Sequence, residues 1–383
     1  MDYLIDNNII KAIKILKDNG YEAYIVGGAI RDLILDLPIS DYDIASNISL
    51  ENAYVLFKEY SPKLYSNGIT MGAVINHTHF ELSSYKGKTI EEDLYERDFS
   101  INSIAYDIDN GLTDPYNGIY DLSKNILKTV KNPIDVIKKD PVRILRALRF
   151  ISRGFIVDDN LYKVMNEYAY LLKDIKRERI RKELDFILLS KNPSVILSKY
   201  KSILKEIIPS IDNIINFGII DIIRNDLAYR LTAFCYLLHD DIYNLLKGLY
   251  YPISLINQVI HVTDFMDYSL GLNKEQILTF LFEFGLDDIE IYFALKRAEK
   301  LANNEEIYDI DSITTIARGL MLDGKIVTKK NLKIKANDLR YLGYKEEDID
   351  KALNIIIKKV VHNELPNVRK VLFDYACRLK YDI

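Results

Sequence analysis

The sequence predicts an α+β protein in which a mixed N-terminal region is followed by helices alone. Up to about residue 130, β-like runs such as "EAYIVGG", "ITMGAVIN" and "HFELSSY" alternate with helical patterns and turn signals. From Pro133 onward, apolar residues recur at helical spacing, as in "VRILRALRFI" and "RIRKELDFILL". At 383 residues the chain is too long for one hydrophobic core and should divide into several domains.

Proline and glycine punctuation divides the helical part further, at "IIPS" near residue 205 and "MLDGK" near residue 325. We predict a head over residues 1–132, a neck over 133–205, a body over 206–325 and a tail over 326–383. The N-terminal segment has an amphipathic helix pattern without a leader-type cleavage site, and no apolar run reaches the ~18 residues of a membrane span. We therefore expect a cytoplasmic protein without a membrane partner.

Charge is distributed unevenly along the chain. The formal net charge is -5, yet residues 124–206 contain 20 Lys and Arg against 10 Asp and Glu. A basic middle in an acidic chain is what a binding site for a polyanion needs. A set of solvated helix faces would give the same count, so the motifs have to decide between the two interpretations.

The stretch "YIVGGAIRDLILDLPISDYDIAS", residues 24 to 46, concentrates residues suited to phosphate chemistry. If "YEAYIVGG" is a strand, Gly27 and Gly28 end it and let the backbone approach a bulky ligand. "AIRDLIL" then opens a helix whose N-terminal amides attract phosphate, and Arg31 is a candidate for the same anion. A simple strand-to-helix turn is the alternative explanation of the two glycines.

The second half of this stretch carries two aspartates. In a strand, Asp41 and Asp43 would project from the same side. Carboxylates this close repel each other unless a cation lies between them, and oxygen ligands suit Mg²⁺. A polar strand end in water is the competing explanation of the pair. A third acid from a neighbouring strand would complete the site, and Glu81 in "HFELSS" is the candidate, on a strand predicted to pair with "ITMGAVIN".

A metal held by paired aspartates beside a phosphate cradle is the arrangement that two-metal nucleotidyl transfer requires. "VGGAIRD" followed by "DYDIA" resembles the signature of nucleotidyltransferases related to DNA polymerase β. The chain is more closely similar to the class II tRNA nucleotidyltransferase and bacterial poly(A) polymerase family. "ERDFSINSIAYD" resembles that family's "RRDFTxNA" block, "KDPVRILRALRF" its "EDxxRxxRaxRF" block, and "RERIRKEL" its "ERxxxEl" block.

The resemblance implies a polymerase-β-like nucleotidyltransferase head followed by an all-helical neck, body and tail. It also implies roles in the "ERDFSIN" segment: Arg97 would bind the triphosphate, Asp98 would accept a hydrogen bond from a ribose hydroxyl, and Asn102 would support that contact. A capped helix start with a surface arginine would explain this segment if it stood alone.

Asp140 and Arg143 are three residues apart, and we expect them on one face of one helix. Asp140 would accept the amino hydrogen of cytosine or adenine while Arg143 donates to the adjacent ring acceptor. Uracil and guanine present the opposite pattern, so two side chains would select C and A. Arg146 and Arg149 are candidates for phosphate or primer contacts, with ion pairs as the alternative. Lys139 stands where the family usually has Glu, which leaves open how Arg143 is supported.

Two further segments concern the RNA substrate. Only "LSSYKGKTI" separates Glu81 from "EEDLYERDF", whereas relatives that add the complete CCA commonly carry a longer loop here, and relatives restricted to CC addition resemble this chain. In the tail, Lys333 and Lys335 belong to a lysine-containing segment that, by analogy, would bind tRNA, although solvated lysines would look the same.

Taken together, these features predict an enzyme that adds C, with or without the terminal A, to tRNA 3′ ends from CTP and ATP with Mg²⁺ and without a nucleic-acid template. The short loop favours CC addition. The alternatives are a full CCA-adding enzyme, a poly(A) polymerase, and a non-catalytic RNA-binding protein with an inactive head. The intact Asp41, Asp43 and Arg97 count against the last of these.

Overall fold

The structure is a computed structural model that describes residues 5–39, 41–65, 68–322, 331–361 and 364–381. The predicted α+β class is confirmed, since a sheet forms in the first part of the chain and helices follow. The chain divides into two compact units, Met1–Ser190 with Lys199–Pro209 and Lys191–Ser198 with Ser210–Ile383. The predicted boundary at residue 325 lies outside the described residues, and the division into four domains stays a prediction.

The strands are β1 Ala23–Val26, β2 Tyr42–Ser46, β3 Lys63–Leu64, β4 Thr70–Ile75, β5 Thr78–Ser84, β6 Ala105–Asp107, β7 Gly111–Thr113, β8 Ile126–Leu127 and β9 Ile156–Val157. Seven of them form one sheet in the order β3-β4-β5-β2-β1-β6-β7. β2 and β5 are parallel, and the other pairs in this sheet are antiparallel. The predicted hairpin before Glu81 is present, because β4 pairs with β5 across Asn76 and His77, which both have positive φ.

The helices of the first 204 residues are α1 Asn7–Asp18, α2 Gly28–Ile34, α3 Leu50–Leu56, α4 Ile90–Tyr95, α5 Gly118–Ser123, α6 Pro133–Lys139, α7 Arg143–Ser152, α8 Asp159–Glu167, α9 Arg177–Leu188, α10 Pro193–Lys199 and α11 Lys201–Leu204. One short element departs from the prediction of helices alone after Pro133. The two-residue strand β9 pairs in parallel with β8. Pairing of so few residues depends on a distant partner and leaves no periodic signal in the sequence.

The helices of the remaining chain are α12 Gly218–Ile222, α13 Leu227–Leu238, α14 Ile242–Gly248, α15 Ile253–Asp264, α16 Lys274–Phe284, α17 Ile289–Ala302, α18 Tyr308–Leu322, α19 Ala336–Tyr341, α20 Glu346–Val361 and α21 Arg369–Leu379. Ahead of α19, Leu332 and Ile334 are fully buried in a local core while Lys333 and Lys335 are exposed. Within the described parts of the chain, no helix is long and apolar enough to cross a lipid bilayer.

The two faces of the sheet carry different side chains, and the candidate site lies on the more polar face. One face carries the main hydrophobic core of the head, in which Tyr42 and Ile44 of β2 and Phe80 and Leu82 of β5 pack beneath α1. The alternate residues of these strands therefore project from the opposite face. There, Ala45 packs in a smaller cluster with residues of α4, and the remaining positions carry polar side chains.

Candidate active site

Two of the predicted carboxylates, Asp43 and Glu81, share the sheet face opposite the main core. Asp43 of β2 lies directly beside Glu81 of β5 in the parallel register, and Asp41 immediately precedes β2. Paired residues on adjacent strands share a face, so Asp43 and Glu81 project together. The hairpin of Glu81 is visible in the sequence, whereas its pairing with β2 joins segments far apart in the chain.

The electrostatics of Asp43 reflect this crowding. Burial raises the pKa of the Asp43 carboxyl above its ordinary value. The positive charge of Arg97 opposes that rise, and the negative charges of Glu81 and Asp41 add to it. A cation bound beside Asp43 would relieve the repulsion and favour its charged form.

Arg97 and Asp43 both lie against Gly27. A Cβ placed on Gly27 would lie 3.1 Å from Arg97 NH1 and 3.4 Å from Asp43 Oδ2, and the φ of Gly27 is +72°. Arg97 is fixed from behind by the buried Asp93, whose Oδ2 accepts from Arg97 Nε at 3.2 Å and NH2 at 3.0 Å. Asp93 was missed by the sequence reasoning, although its spacing of four residues from Arg97 in a helical pattern was a usable signal.

The donor chemistry of this face fits a hard divalent cation, because carboxylates are the ligands that such a cation prefers and burial disfavours the charged form of Asp43 in its absence. Among the described residues, no three His, Cys, Asp or Glu side chains are already grouped tightly enough to hold a metal ion. Asp41 and Asp43 therefore remain the predicted ligands, and Glu81 as a third ligand stays a prediction that requires side-chain adjustment.

Four other predicted nucleotide-binding residues form a buried polar chain. Arg31 NH1 donates to Asn102 Oδ1 at 2.8 Å, Asn102 Nδ2 donates to Asp98 Oδ1 at 2.9 Å, and Arg146 Nε donates to Asp98 Oδ2 at 2.7 Å. Arg31 also donates to Asp32. The guanidinium of Arg31 is buried and engaged within the protein, and its contact with a phosphate stays a prediction.

Asp98 is the centre of this chain. Burial alone would raise the pKa of Asp98, but the charge of Arg146 and the hydrogen bonds from Asn102 and Arg146 outweigh it and hold the pKa at about 2. Asp98 also accepts from the Phe99 amide at 2.9 Å. Its carboxylate links α7 to the head, and the predicted contact with a ribose hydroxyl would have to share these oxygens.

Asp140 and Arg143 are close, but the expectation that they share a helix is wrong. Asp140 caps the end of α6 in an extended conformation, and Arg143 is the first residue of α7. Pro141 explains the break, because a proline disfavours helical backbone in the residue before it. Arg143 NH1 donates to the Val136 carbonyl at 3.2 Å, which supports its side chain without the carboxylate usual in the family at position 139.

The "RERIRKEL" segment supplies two partners that the sequence reasoning did not assign. Arg179 of α9 donates to both oxygens of Asp140, at 2.9 and 2.7 Å. Glu183, one turn later, pairs with Arg149 at 3.3 Å. Arg149 lies against the rings of Phe150 and Phe186, and burial lowers its pKa to about 10. The structure therefore favours the ion-pair alternative for Arg149 over a phosphate contact.

Three family models match successive parts of the chain. The Poly A polymerase head domain matches residues 23–89 and 77–128, the probable RNA and SrmB-binding site of polymerase A matches residues 154–215, and the putative tRNA nucleotidyltransferase domain 2 matches residues 225–376. A CCA-adding enzyme of Ligilactobacillus salivarius is 28% identical, with 98% of each chain covered. The chain belongs to the tRNA nucleotidyltransferase and poly(A) polymerase family. The resemblance predicted from its motifs is confirmed, and the protein is a nucleotidyltransferase.

Other relatives place this nucleotidyltransferase among enzymes with different end products. A CC-adding tRNA nucleotidyltransferase of Shouchella clausii is 37% identical over 190 residues, which cover 46% of this chain and 47% of that protein. The fold is similar to that of the Bacillus stearothermophilus CCA-adding enzyme solved with CTP, with a TM-score of 0.80, 23% identity and 98% of both chains covered. Membership in this family implies a divalent metal ion, in agreement with the carboxylates on the sheet face.

Replacing Gly27 with alanine should reduce nucleotide incorporation at least about tenfold, because a methyl group there would displace Arg97 or Asp43 by a few tenths of an ångström. The matched control is Gly111→Ala, since Gly111 also has positive φ, +84°, but nothing within 4 Å of its added Cβ. Backbone strain should lower the free energy of unfolding by a similar amount in both variants, about 1–3 kcal/mol, and thermal melting measures this loss. Equal losses of activity in the two variants would show that the contact with Arg97 and Asp43 is unimportant.

Proposed function

We propose that this nucleotidyltransferase adds cytidine to the 3′ ends of tRNA from CTP, without a nucleic-acid template, and adds the terminal adenosine slowly or not at all. The observation that carries the proposal is that Arg97 and Asp43 both lie against Gly27, while Glu81 is paired with Asp43 on the same sheet face. It joins a predicted triphosphate ligand to predicted metal ligands. The similarity to a CCA-adding enzyme and to a CC-adding tRNA nucleotidyltransferase supports tRNA as the substrate.

Asp41 and Asp43 would hold Mg²⁺, with Glu81 as the third carboxylate. When bound, such ions lower the pKa of the attacking 3′-hydroxyl and stabilise charge on the transferred phosphorus and the leaving pyrophosphate. Arg97, held by Asp93, would orient the triphosphate, and the open backbone at Gly27 would admit it. Arg97 is held by Asp93 before the substrate arrives, which lowers the cost of reaching the reactive geometry.

Base selection would fall to Asp140 and Arg143. A carboxylate has about four lone-pair sites, so Asp140 can accept from Arg179 and still accept the amino hydrogen of cytosine or adenine. Arg179 orients this acceptor, and the Val136 carbonyl orients Arg143. With uracil or guanine, Asp140 would face a carbonyl acceptor and Arg143 would face an N–H donor. Both mismatches cost binding energy.

The proposal is tested with a tRNA that lacks its 3′ end, incubated with one labelled nucleoside triphosphate at a time, beside an unstructured RNA primer. We expect CTP incorporation into the tRNA and little incorporation of UTP or GTP. Incorporation of ATP alone, on both primers, would instead identify a poly(A) polymerase. Binding of tRNA without incorporation of any nucleotide would identify a non-catalytic RNA-binding protein.

The limit to CC addition is inferred from the short connection between β5 and α4. Only residues 85–89 separate these elements, and two of their amides are bound to side chains of α4: Lys86 N donates to Asp93 Oδ1 at 3.2 Å, and Lys88 N donates to Glu92 Oε2 at 2.6 Å. A segment this short has little reach toward the base-selecting residues. Changing selection from C to A requires a small repositioning of Asp140 and Arg143 that such a segment is poorly able to drive.

We therefore expect rapid addition of two cytidines and slow or absent addition of adenosine to a tRNA ending at the discriminator base. The products of a reaction with CTP and ATP together should be resolved to single nucleotides. A tRNA that already ends in CC serves as the control for adenosine addition alone. Rapid formation of complete CCA ends would reject the CC-only proposal and leave tRNA nucleotidyl transfer intact.

A further inference from the structure

One carboxylate outside the proposed catalytic set joins three segments of the site. Glu96 caps the C-terminus of α4, and its two oxygens accept hydrogen bonds from Lys131 and Lys139. The Glu96 side chain is 24% exposed and that of Lys139 is 58% exposed. Hydrogen bonds from Lys131 and Lys139 hold the pKa of Glu96 at about 2, so this carboxylate stays charged over the whole physiological range.

The position of this cluster connects it to nucleotide binding. Glu96 directly precedes Arg97, the proposed triphosphate ligand, and Lys139 directly precedes Asp140, the proposed base acceptor. Lys131 lies two residues before the start of α6, and Lys139 is its last residue. The single carboxylate of Glu96 therefore holds both ends of α6 against the turn that carries Arg97.

We propose that the Glu96–Lys139 ion pair is a positioning device for nucleotide selection, which sets the place of Asp140 and Arg143 relative to Arg97. This inference rests on the proposed function. Glu96 and Lys139 contact neither metal ligands nor the proposed base-reading atoms, so they act through their neighbours. An exposed ion pair contributes little to stability. Its loss should therefore change selectivity far more than folding.

The test compares Lys139→Glu, Glu96→Arg and the double variant Glu96→Arg/Lys139→Glu, which restores an attractive pair with opposite polarity. Lys138→Glu is the matched control, because Lys138 is exposed in the same helix and lies over the Tyr168 ring instead of Glu96. Lys131 loses its carboxylate partner in the double variant and keeps the Tyr95 ring, whose centre lies 4.4 Å from its Nζ. The measured quantities are kcat/KM for CTP and UTP on truncated tRNA, and the melting temperature.

We expect each single variant to lower the preference for CTP over UTP about tenfold, with a melting temperature within about 2 °C of wild type. The double variant should recover to within about threefold of wild type, and Lys138→Glu should match wild type within the same margin. Unchanged preference in the single variants, a double variant no better than they are, or a parallel fall in melting temperature would overturn the inference. A wild-type enzyme that fails to add C to tRNA would instead overturn the proposed function.

Discussion

Replacing Asp43 with asparagine should lower the rate of nucleotide incorporation at least about a thousandfold. This corresponds to a loss of about 4 kcal/mol of transition-state stabilisation. Asparagine keeps the size of the side chain and removes the charge that holds a divalent cation. Binding of tRNA should be nearly unchanged, since affinity for the polyanion depends on basic residues elsewhere. Single-turnover incorporation and a filter-binding titration of tRNA measure the two effects separately, and Asp41→Asn should behave in the same way.

The same variant should also be more stable to heat than wild type when both are free of metal. Because burial raises the pKa of Asp43 in the folded protein, its charged form lowers stability at neutral pH. This cost is absent at pH values below the unfolded pKa and grows as the pH rises through the folded pKa. Glu91→Gln, the same charge change at an exposed position on α4, should alter neither activity nor melting. An active Asp43→Asn enzyme, within tenfold of wild type, would refute the metal-ligand assignment.

Arg146→Met should destabilise the protein by about 3 kcal/mol, because it leaves the buried Asp98 carboxylate without its charged partner. Asp98 has a pKa of about 2 while Arg146 is present, so in wild type its ion pair contributes stability above the unfolded pKa that is lost as the pH falls toward 2. Without Arg146 the pKa of Asp98 should rise. Acid then neutralises Asp98, so the difference between variant and wild type should shrink as the pH is lowered from 7 to 4.

Urea unfolding at both pH values measures this effect. Arg153→Met is the matched control, since Arg153 is exposed at the end of the same helix, and it should change stability by less than about 0.5 kcal/mol. The double variant Asp98→Asn/Arg146→Met should recover part of the loss, as expected for two residues that act together. Additive losses, or a loss below about 1 kcal/mol that does not depend on pH, would contradict the buried ion pair.

The features that the sequence predicted correctly are local ones. The strand-to-helix turn at Gly27, the aspartates at β2 and the hairpin leading to Glu81 each follow from alternation, glycine and turn residues within a few positions. The parallel pairing of β2 with β5 joins residues about 40 positions apart and left no such signal. The resemblance to a family supplied the arrangement of the head that periodicity alone does not give.

Charged residues were harder to assign, because a sequence does not say which of several opposite charges is the partner. Arg31, Arg146 and Arg149 were candidates for substrate contacts, with ion pairs as the alternative for Arg146 and Arg149, and the structure engages each of the three with a residue of the protein. Asp140 and Arg143 were placed on one helix because their spacing fits one. The proline between them was the local signal that should have separated them.

The most direct test of the central claim is the intact mass of a truncated tRNA after reaction with all four nucleoside triphosphates at equal concentrations. Template-independent selection by protein side chains predicts a homogeneous product extended by two cytidines, with any adenosine present only after the second cytidine and no uridine or guanosine. A mixture containing uridine or guanosine, or an adenosine tail on ends that lack cytidine, would contradict it.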